Sequence, residues 1–204
     1  MTKANTISLT GYPGSGKDAL ARTLIERDTE GRWVRLAFAD EMKQMFIDLG
    51  IPFHRCRREG DEIHLESTEV YAETLTQLEI WKRDDTCNMR ECLQRFGMVF
   101  RERDPDFWVR LVDTQWRFLR RAGHNVVVTD VRFPNEAEWA RSVGRLLGVT
   151  RDGAGPVNSH ISEKNTTQIL SDSHAIVENS GTLEELYEKA QDACEALCWN
   201  TDRN

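Results

Sequence analysis

The sequence predicts an α/β protein, a three-layer sandwich in which a five-stranded parallel sheet lies between helices. Three observations lead there. Five short aliphatic runs have the character of strands buried on both faces, the segments between them carry helical period, and the first run feeds a glycine-rich turn that opens a helix. A chain of 204 residues suits a single domain, residues 1–204, with a full core and room for a small subdomain.

The first strand is Thr6 to Thr10, and the turn after it reads G-Y-P-G-S-G-K-D from Gly11 to Asp18. This is the pattern of a P-loop, G-x-x-x-x-G-K followed by Ser or Thr, with Asp18 in the place of the hydroxyl that reaches magnesium. Gly11, Gly14 and Gly16, with Ser15 between them, let the backbone curl, visit positive φ and approach phosphate oxygens without a Cβ in the way. Lys17 adds a cation for the outer phosphates, and the helix starting near Asp18 aims its positive dipole end at them. A bound nucleotide is the expectation, against the plainer alternative of an ordinary strand-to-helix turn.

Val34 to Phe38 is the second strand. Residues 40–123 then break the alternation, being long, mostly helical in pattern and highly charged, and are predicted to form an inserted helical subdomain. Within them Glu59 to Glu69 is polar and acidic, which predicts a solvated loop or helix face. Asp104 and Pro105 give a helix N-cap and first-turn proline, and Trp108 heads the apolar stripe Trp108, Leu111, Val112 and Leu119.

The third strand, Asn125 to Thr129, runs into Asp130. Carboxyl ends of parallel strands face the ligand crevice, so Asp130 is expected to meet the P-loop and take magnesium directly or through water. Arg132 is then placed to neutralise charge on a phosphoryl group in transfer; the alternative makes Asp130 a helix cap and Arg132 its surface partner. The fourth strand, Leu146 to Thr150, leads through Arg151 into a run of turn formers, Asp152 to Asn158. His174 to Val177 is the fifth, and Thr182 with Glu185 forms a capping box before the helical stripe Leu183 to Leu197, which assigns Cys194 to the core.

Composition narrows the partners. Hydrophobic residues at 39% and charged ones at 30% are ordinary, and a net charge of −7 argues against broad attachment to nucleic acid or an anionic membrane. No apolar run approaches a transmembrane length, and residues 1–5 lead into the first strand without a signal peptide, so the expected location is the cytoplasm. The five cysteines, 56, 87, 92, 194 and 198, are then expected as reduced thiols. A zinc site from His54, Cys56, His64, Cys87 and Cys92 matches no compact ligand spacing.

Asp130 to Glu138, D-V-R-F-P-N-E-A-E, together with the glycine loop resembles the deoxynucleoside monophosphate kinases of tailed bacteriophages and their prophage relatives. The likeness runs from residue 5 to about 190 and is weakest over 51–86. Ala37 to Lys43 resembles that family's segment after the second strand, which implies Lys43 near the acceptor nucleotide. Arg90 to Gly97, Arg101 and Asp104 to Val109 resemble its monophosphate-binding region, which implies Arg90, Gln94, Arg101 and Trp108 as acceptor contacts and 40–123 as the acceptor-binding subdomain. Ser159 to Glu163 resembles the His-x-Ser-Glu element beyond a lid over 151–165, and Asn179 to Leu183 the turn near the donor adenine, with Asn179 and Gly181 as contacts.

The resemblance implies ATP as phosphoryl donor, Mg2+ near Asp18 and Asp130, small nucleotides as substrates and often a homodimer. Lys17 would bridge the donor phosphates while Arg132 and Arg151 stabilise the transferring group. An anionic acceptor needs positioning and cations more than a base, so His160, which would share a helix face with Glu163, is read as a structural or lid-closing contact. Ala19 and Met98 depart from the family, standing where relatives often carry threonine. Two alternatives stay open: a kinase for another small acceptor such as dephospho-coenzyme A, and a nucleotide-gated switch. The sequence lacks the N-K-x-D and D-x-x-G motifs that a GTPase switch would carry.

Overall fold

The computed structural model of the protein describes residues 5–49, 55–59, 62–66, 89–157 and 159–199. The chain divides into two units, one formed by Met1–Ala37 with Asp113–Asn204, the other by Phe38–Val112.

The larger unit is built on β1 (Thr6–Thr10), β2 (Trp33–Leu36), β5 (Asn125–Val128), β6 (Arg145–Thr150) and β7 (Ala175–Glu178). They form one parallel sheet in the order β2-β5-β1-β6-β7. β1 is central and buried at all five positions, in keeping with a strand covered on both faces. Because β1 and β5 are neighbours, with Ser8 beside Val128, the glycine loop and Asp130 leave the sheet at the same edge. That adjacency fixes the site.

Helices cover both faces. α1 (Lys17–Glu26) and the C-terminal helix Leu183–Trp199 lie on one side, where Leu20, Leu24, Leu186 and Ala190 pack with Leu9, Val127 and Val149. Cys194 is partly buried against this cluster, as the helical stripe predicts. On the other side Pro134–Val143 and Ile161–Ser171 pack against β1 and β6. The predicted capping box forms, Thr182 N–H donating to Glu185 Oε2 at 3.0 Å and Glu185 N–H to Thr182 Oγ1 at 3.2 Å.

The smaller unit holds α2 (Phe38–Asp48), β3 (Arg55–Glu59), β4 (Glu62–Glu66), α3 (Met89–Arg103) and the first residues of α4 (Phe107–Arg121), a helix that runs on into the larger unit. With α5 for Pro134–Val143, α6 for Ile161–Ser171 and α7 for Leu183–Trp199, the order of elements is complete among the described residues. The core of the smaller unit is aromatic. Phe46, Phe96 and Trp108 are all at 1% exposure or less, with Phe46 meeting Phe96 edge-on at 5.4 Å. Gly97 lets α3 close on α2, since a Cβ there would sit 2.8 Å from Met42 Sδ.

Two expectations are corrected. The second strand stops at Leu36, and Phe38 instead opens α2. Residues 59 and 62–66, predicted to lie in a solvated loop or helix face, belong to an antiparallel hairpin in which Arg55 stands opposite Glu66 and Glu59 opposite Glu62. Its second strand, E-I-H-L-E, does alternate with period two, but the charge density hides the pattern. Apart from Cys92, which is buried, the side chains of the zinc combination lie outside the described residues.

Candidate phosphate-binding site

The loop between β1 and α1 takes the conformation its glycines allow. Gly11, Gly14 and Gly16 have φ of 147°, 78° and 104°, values that side-chain-bearing residues rarely adopt. Two of them also have no room for a side chain. A Cβ on Gly11 would lie 2.2 Å from Val149 O, and one on Gly16 2.3 Å from Asn179 Nδ2. Asn179 explains the second approach: its Nδ2 donates to Ser15 O at 3.0 Å, while its backbone N–H donates to Thr150 O at 2.7 Å. Asn179, predicted beside the adenine, thus ties the end of β7 to the loop, and Gly181 follows it directly.

Gly16 is the N-cap of α1 and Lys17 its first residue, 5% exposed. Lys17 Nζ donates to Tyr12 O at 2.8 Å and to Ser15 Oγ at 3.4 Å, both neutral acceptors. Burial, joined by the nearby positive charge of Arg132, lowers its pKa from 10.5 to about 8; the charges of Asp18, Asp130 and Glu163 pull the other way. Among the described residues the direct hydrogen-bond partners of this desolvated ammonium are neutral oxygens, with the carboxylates acting from further off. A phosphate oxygen placed against it at the helix N-terminus would gain a charge-assisted hydrogen bond.

Arg132 is held at both ends. Its backbone N–H, and that of Phe133, donate to Glu136 Oε2 at 2.8 and 3.1 Å, so the buried Glu136 at the third position of α5 folds back over the turn that Pro134 begins. At the other end Arg132 Nη1 donates to Glu163 Oε1 at 3.1 Å, and Glu163 is fully buried. The sequence does contain the signal for Glu136, a proline followed two residues later by a glutamate. For the Arg132–Glu163 pair there is none, since 31 residues separate the partners.

The remaining predicted residues of the larger unit lie as follows. Asp18 is exposed in the first turn of α1, and Asp130 is half-buried just past β5. Arg151 is exposed just past β6. His160 does not share a helix face with Glu163: it is the N-cap of α6, its Nδ1 accepting from Ser162 N–H at 3.2 Å. The same helix reaches the loop through Thr167, whose Oγ1 is 2.6 Å from the Tyr12 hydroxyl.

Mg2+ takes oxygen ligands, commonly one or two carboxylates completed by substrate phosphates and water. Asp18 and Asp130 suit that role chemically, both being near enough to act on the charge of Lys17. Among the described residues no three His, Cys, Asp or Glu side chains gather into a metal cage.

In the smaller unit Arg90, Gln94 and Arg101 fall within about 40° of one another around α3 at the ordinary helical rotation. The buried residues of that helix, Cys92 and Phe96, point well away from this stripe. Lys43 pairs with Asp40 at 3.1 Å along α2. Trp108, expected as an acceptor contact, is corrected: it is 1% exposed and its indole N–H donates to Gly97 O at 3.0 Å, which makes it a core residue of the stripe also read in the sequence.

A central parallel strand, a loop of three positive-φ glycines and a buried lysine at the start of the following helix define a P-loop nucleotide-binding protein. The chain belongs to the deoxynucleotide monophosphate kinase family, whose model matches residues 57–190. It is 30% identical over 112 residues to the deoxynucleotide monophosphate kinase of Escherichia phage RB69, covering 53% of this chain and 45% of that one. It spans about half the length of the curated phage relatives it matches. An Acanthamoeba polyphaga mimivirus protein given the same name provisionally is 29% identical over 197 residues, covering 89% of this chain and 91% of its own. Among solved structures, dephospho-CoA kinase from Campylobacter jejuni superposes with a TM-score of 0.54 at 9% identity, over 97% of this chain and 98% of the other, a likeness of fold.

Proposed function

We propose that the protein transfers the γ-phosphoryl group of ATP to a deoxynucleoside monophosphate, releasing ADP and the diphosphate, and so supplies precursors for DNA synthesis. The observation that carries this reading is Lys17, buried at the start of α1, whose direct hydrogen-bond partners among the described residues are neutral. An oxygen of the acceptor phosphate bonds to the γ-phosphorus as the bond to the β–γ bridging oxygen breaks. The chain's part is to hold the two anions and to stabilise the charge between them.

The loop N–H groups of Gly11, Gly14, Ser15 and Gly16 and the Lys17 ammonium would hold the donor phosphates, with Asn179 and Gly181 beside the adenine. Arg132, and Arg151 from the 151–165 lid, would neutralise the transferring group. Arg90, Gln94 and Arg101 on the face of α3, with Lys43, would hold the acceptor within the inserted subdomain. Mg2+, when bound, neutralises charge across the donor phosphates, and Asp18 and Asp130 are the side chains that would hold it. The partners are small nucleotides rather than nucleic acid or membrane, and among the described residues no helix is long and apolar enough to cross one. The place of action is the cytoplasm, that of the host if the gene is a phage's, and the homodimer common among such kinases is the expected assembly.

A coupled ADP assay with ATP, Mg2+ and a panel of deoxy- and ribonucleoside monophosphates tests the reading, with dephospho-coenzyme A as control. ADP release that depends on a deoxynucleoside monophosphate is expected. Release with the coenzyme precursor alone moves the acceptor class, and no acceptor-dependent release overturns the kinase.

A further inference from the structure

We infer that Glu163 is the positioning residue for Arg132, holding one arm of its guanidinium so that the rest of the fork is left for the transferring phosphoryl group. The inference rests on the phosphoryl-transfer reading above. Three observations carry it. Glu163 is fully buried and its Oε1 accepts from Arg132 Nη1 at 3.1 Å, whereas the Arg132 side chain keeps 28% of its exposure. Among the described residues the remaining guanidinium nitrogens donate to no protein atom, so one arm is anchored and the others are presented. At the backbone end Glu136 fixes the same residue, which leaves the side chain little freedom to choose another direction.

A structural explanation alone is weak here. Burying a carboxylate costs hydration, and an apolar pair of the same volume commonly stabilises a fold as well or better. What an ion pair adds is direction, because a carboxylate and a guanidinium meet in a restricted set of geometries. The helix that carries Glu163 is itself tied to the phosphate loop. His160 caps α6 two residues from Ser162, Glu163 N–H donates to the His160 carbonyl at 3.0 Å, and Thr167 one turn further meets the Tyr12 hydroxyl. Tyr12 is also the residue whose carbonyl accepts from Lys17. One helix thereby references both cations to the same frame, so an error in the setting of Glu163 displaces Arg132 relative to Lys17.

The test is steady-state kinetics on Glu163→Gln and Glu163→Asp, each in the parent and in an Arg132→Ala background, with thermal unfolding alongside. Glu163→Gln removes the charge at constant shape, and Glu163→Asp keeps the charge while drawing it back by one methylene. Both are expected to lower kcat on the order of tenfold to a hundredfold with both KM values nearly unchanged, as small misplacements of a reacting group do. With Arg132→Ala already present, neither should lower kcat further. If Glu163→Gln does not fold, Glu163→Asp decides alone. Unchanged kcat in a folded variant overturns the inference, as does a loss equally large in the Arg132→Ala background. A parent that transfers no phosphoryl group to any acceptor sinks the kinase reading instead, a result seen before any variant is made.

Discussion

The two units handle positive charge in opposite ways. In the larger one the cations are built in: Lys17 is 5% exposed inside a loop that only glycines can form, and Arg132 is clasped by two buried glutamates. In the smaller one the predicted acceptor contacts Arg90, Gln94 and Arg101 lie on a partly exposed stripe of a single helix, over a core of aromatic rings. The first arrangement costs hydration and gains fixed geometry. The second keeps part of each side chain in contact with water, although the Arg101 Nε is itself buried. On the proposed reading the built-in site takes the donor and the partly exposed stripe the acceptor.

The largest effect should come from breaking the rigid side. Lys17→Met removes the ammonium while keeping most of the stem, and turnover should fall on the order of a hundredfold or more, as loss of a preorganised charge contact does. ADP release at saturating ATP and acceptor measures it. Full activity in this variant would erase the contrast between the units.

The same substitution sharpens the comparison through stability. Lys17 has a folded pKa of about 8 against 10.5 when unfolded, so between those values the unfolded chain binds more protons and stability rises with pH. Below about pH 8 the charge is buried at full cost, and at 10.5 and above the cost is gone. Lys17→Met should therefore be more stable than the parent at pH 7, by up to roughly 3 kcal/mol, with the advantage shrinking as pH rises through that window. Urea unfolding of both proteins at pH 7, 8.5 and 10 follows the difference. A difference that stays constant with pH would mean that Lys17 is not desolvated, and the proposed donor site would lose its built-in cation.

What the sequence discloses depends on how a feature is built more than on the unit that holds it. Backbone-built features leave local marks: the glycine spacing of residues 11–16, the strand that leads to Asp130 two residues past its end, and the Thr182–Glu185 cap all show as short patterns. Features built by side chains meeting across the fold leave none. Arg132 finds Glu163 31 residues away, Asn179 reaches Ser15 over 164, and His160 turned from a face-mate of Glu163 into the cap of its helix. The pairing of residues 55–59 with 62–66 is hidden by the charged residues that fill both strands, and Trp108 fits both a core stripe and an acceptor contact in sequence, with its burial deciding for the core.

The partly exposed stripe should give the smallest effect. Arg101 is half-buried in the last turn of α3, where any cation gains a little from the helix dipole, so removing it carries a modest stability cost whatever else it does. An acceptor role predicts something more specific. Arg101→Ala should raise the KM for the monophosphate about tenfold, the worth of one charge-assisted hydrogen bond, while the KM for ATP stays put. Because Arg90 and Gln94 share the stripe, the remaining contacts can take up part of the load, which keeps the loss below that of Lys17. Varying each substrate at saturating levels of the other separates the two constants. Should ATP binding weaken instead, Arg101 belongs to the donor side, and the proposed division between a built-in donor site and a partly exposed acceptor stripe fails at its second half.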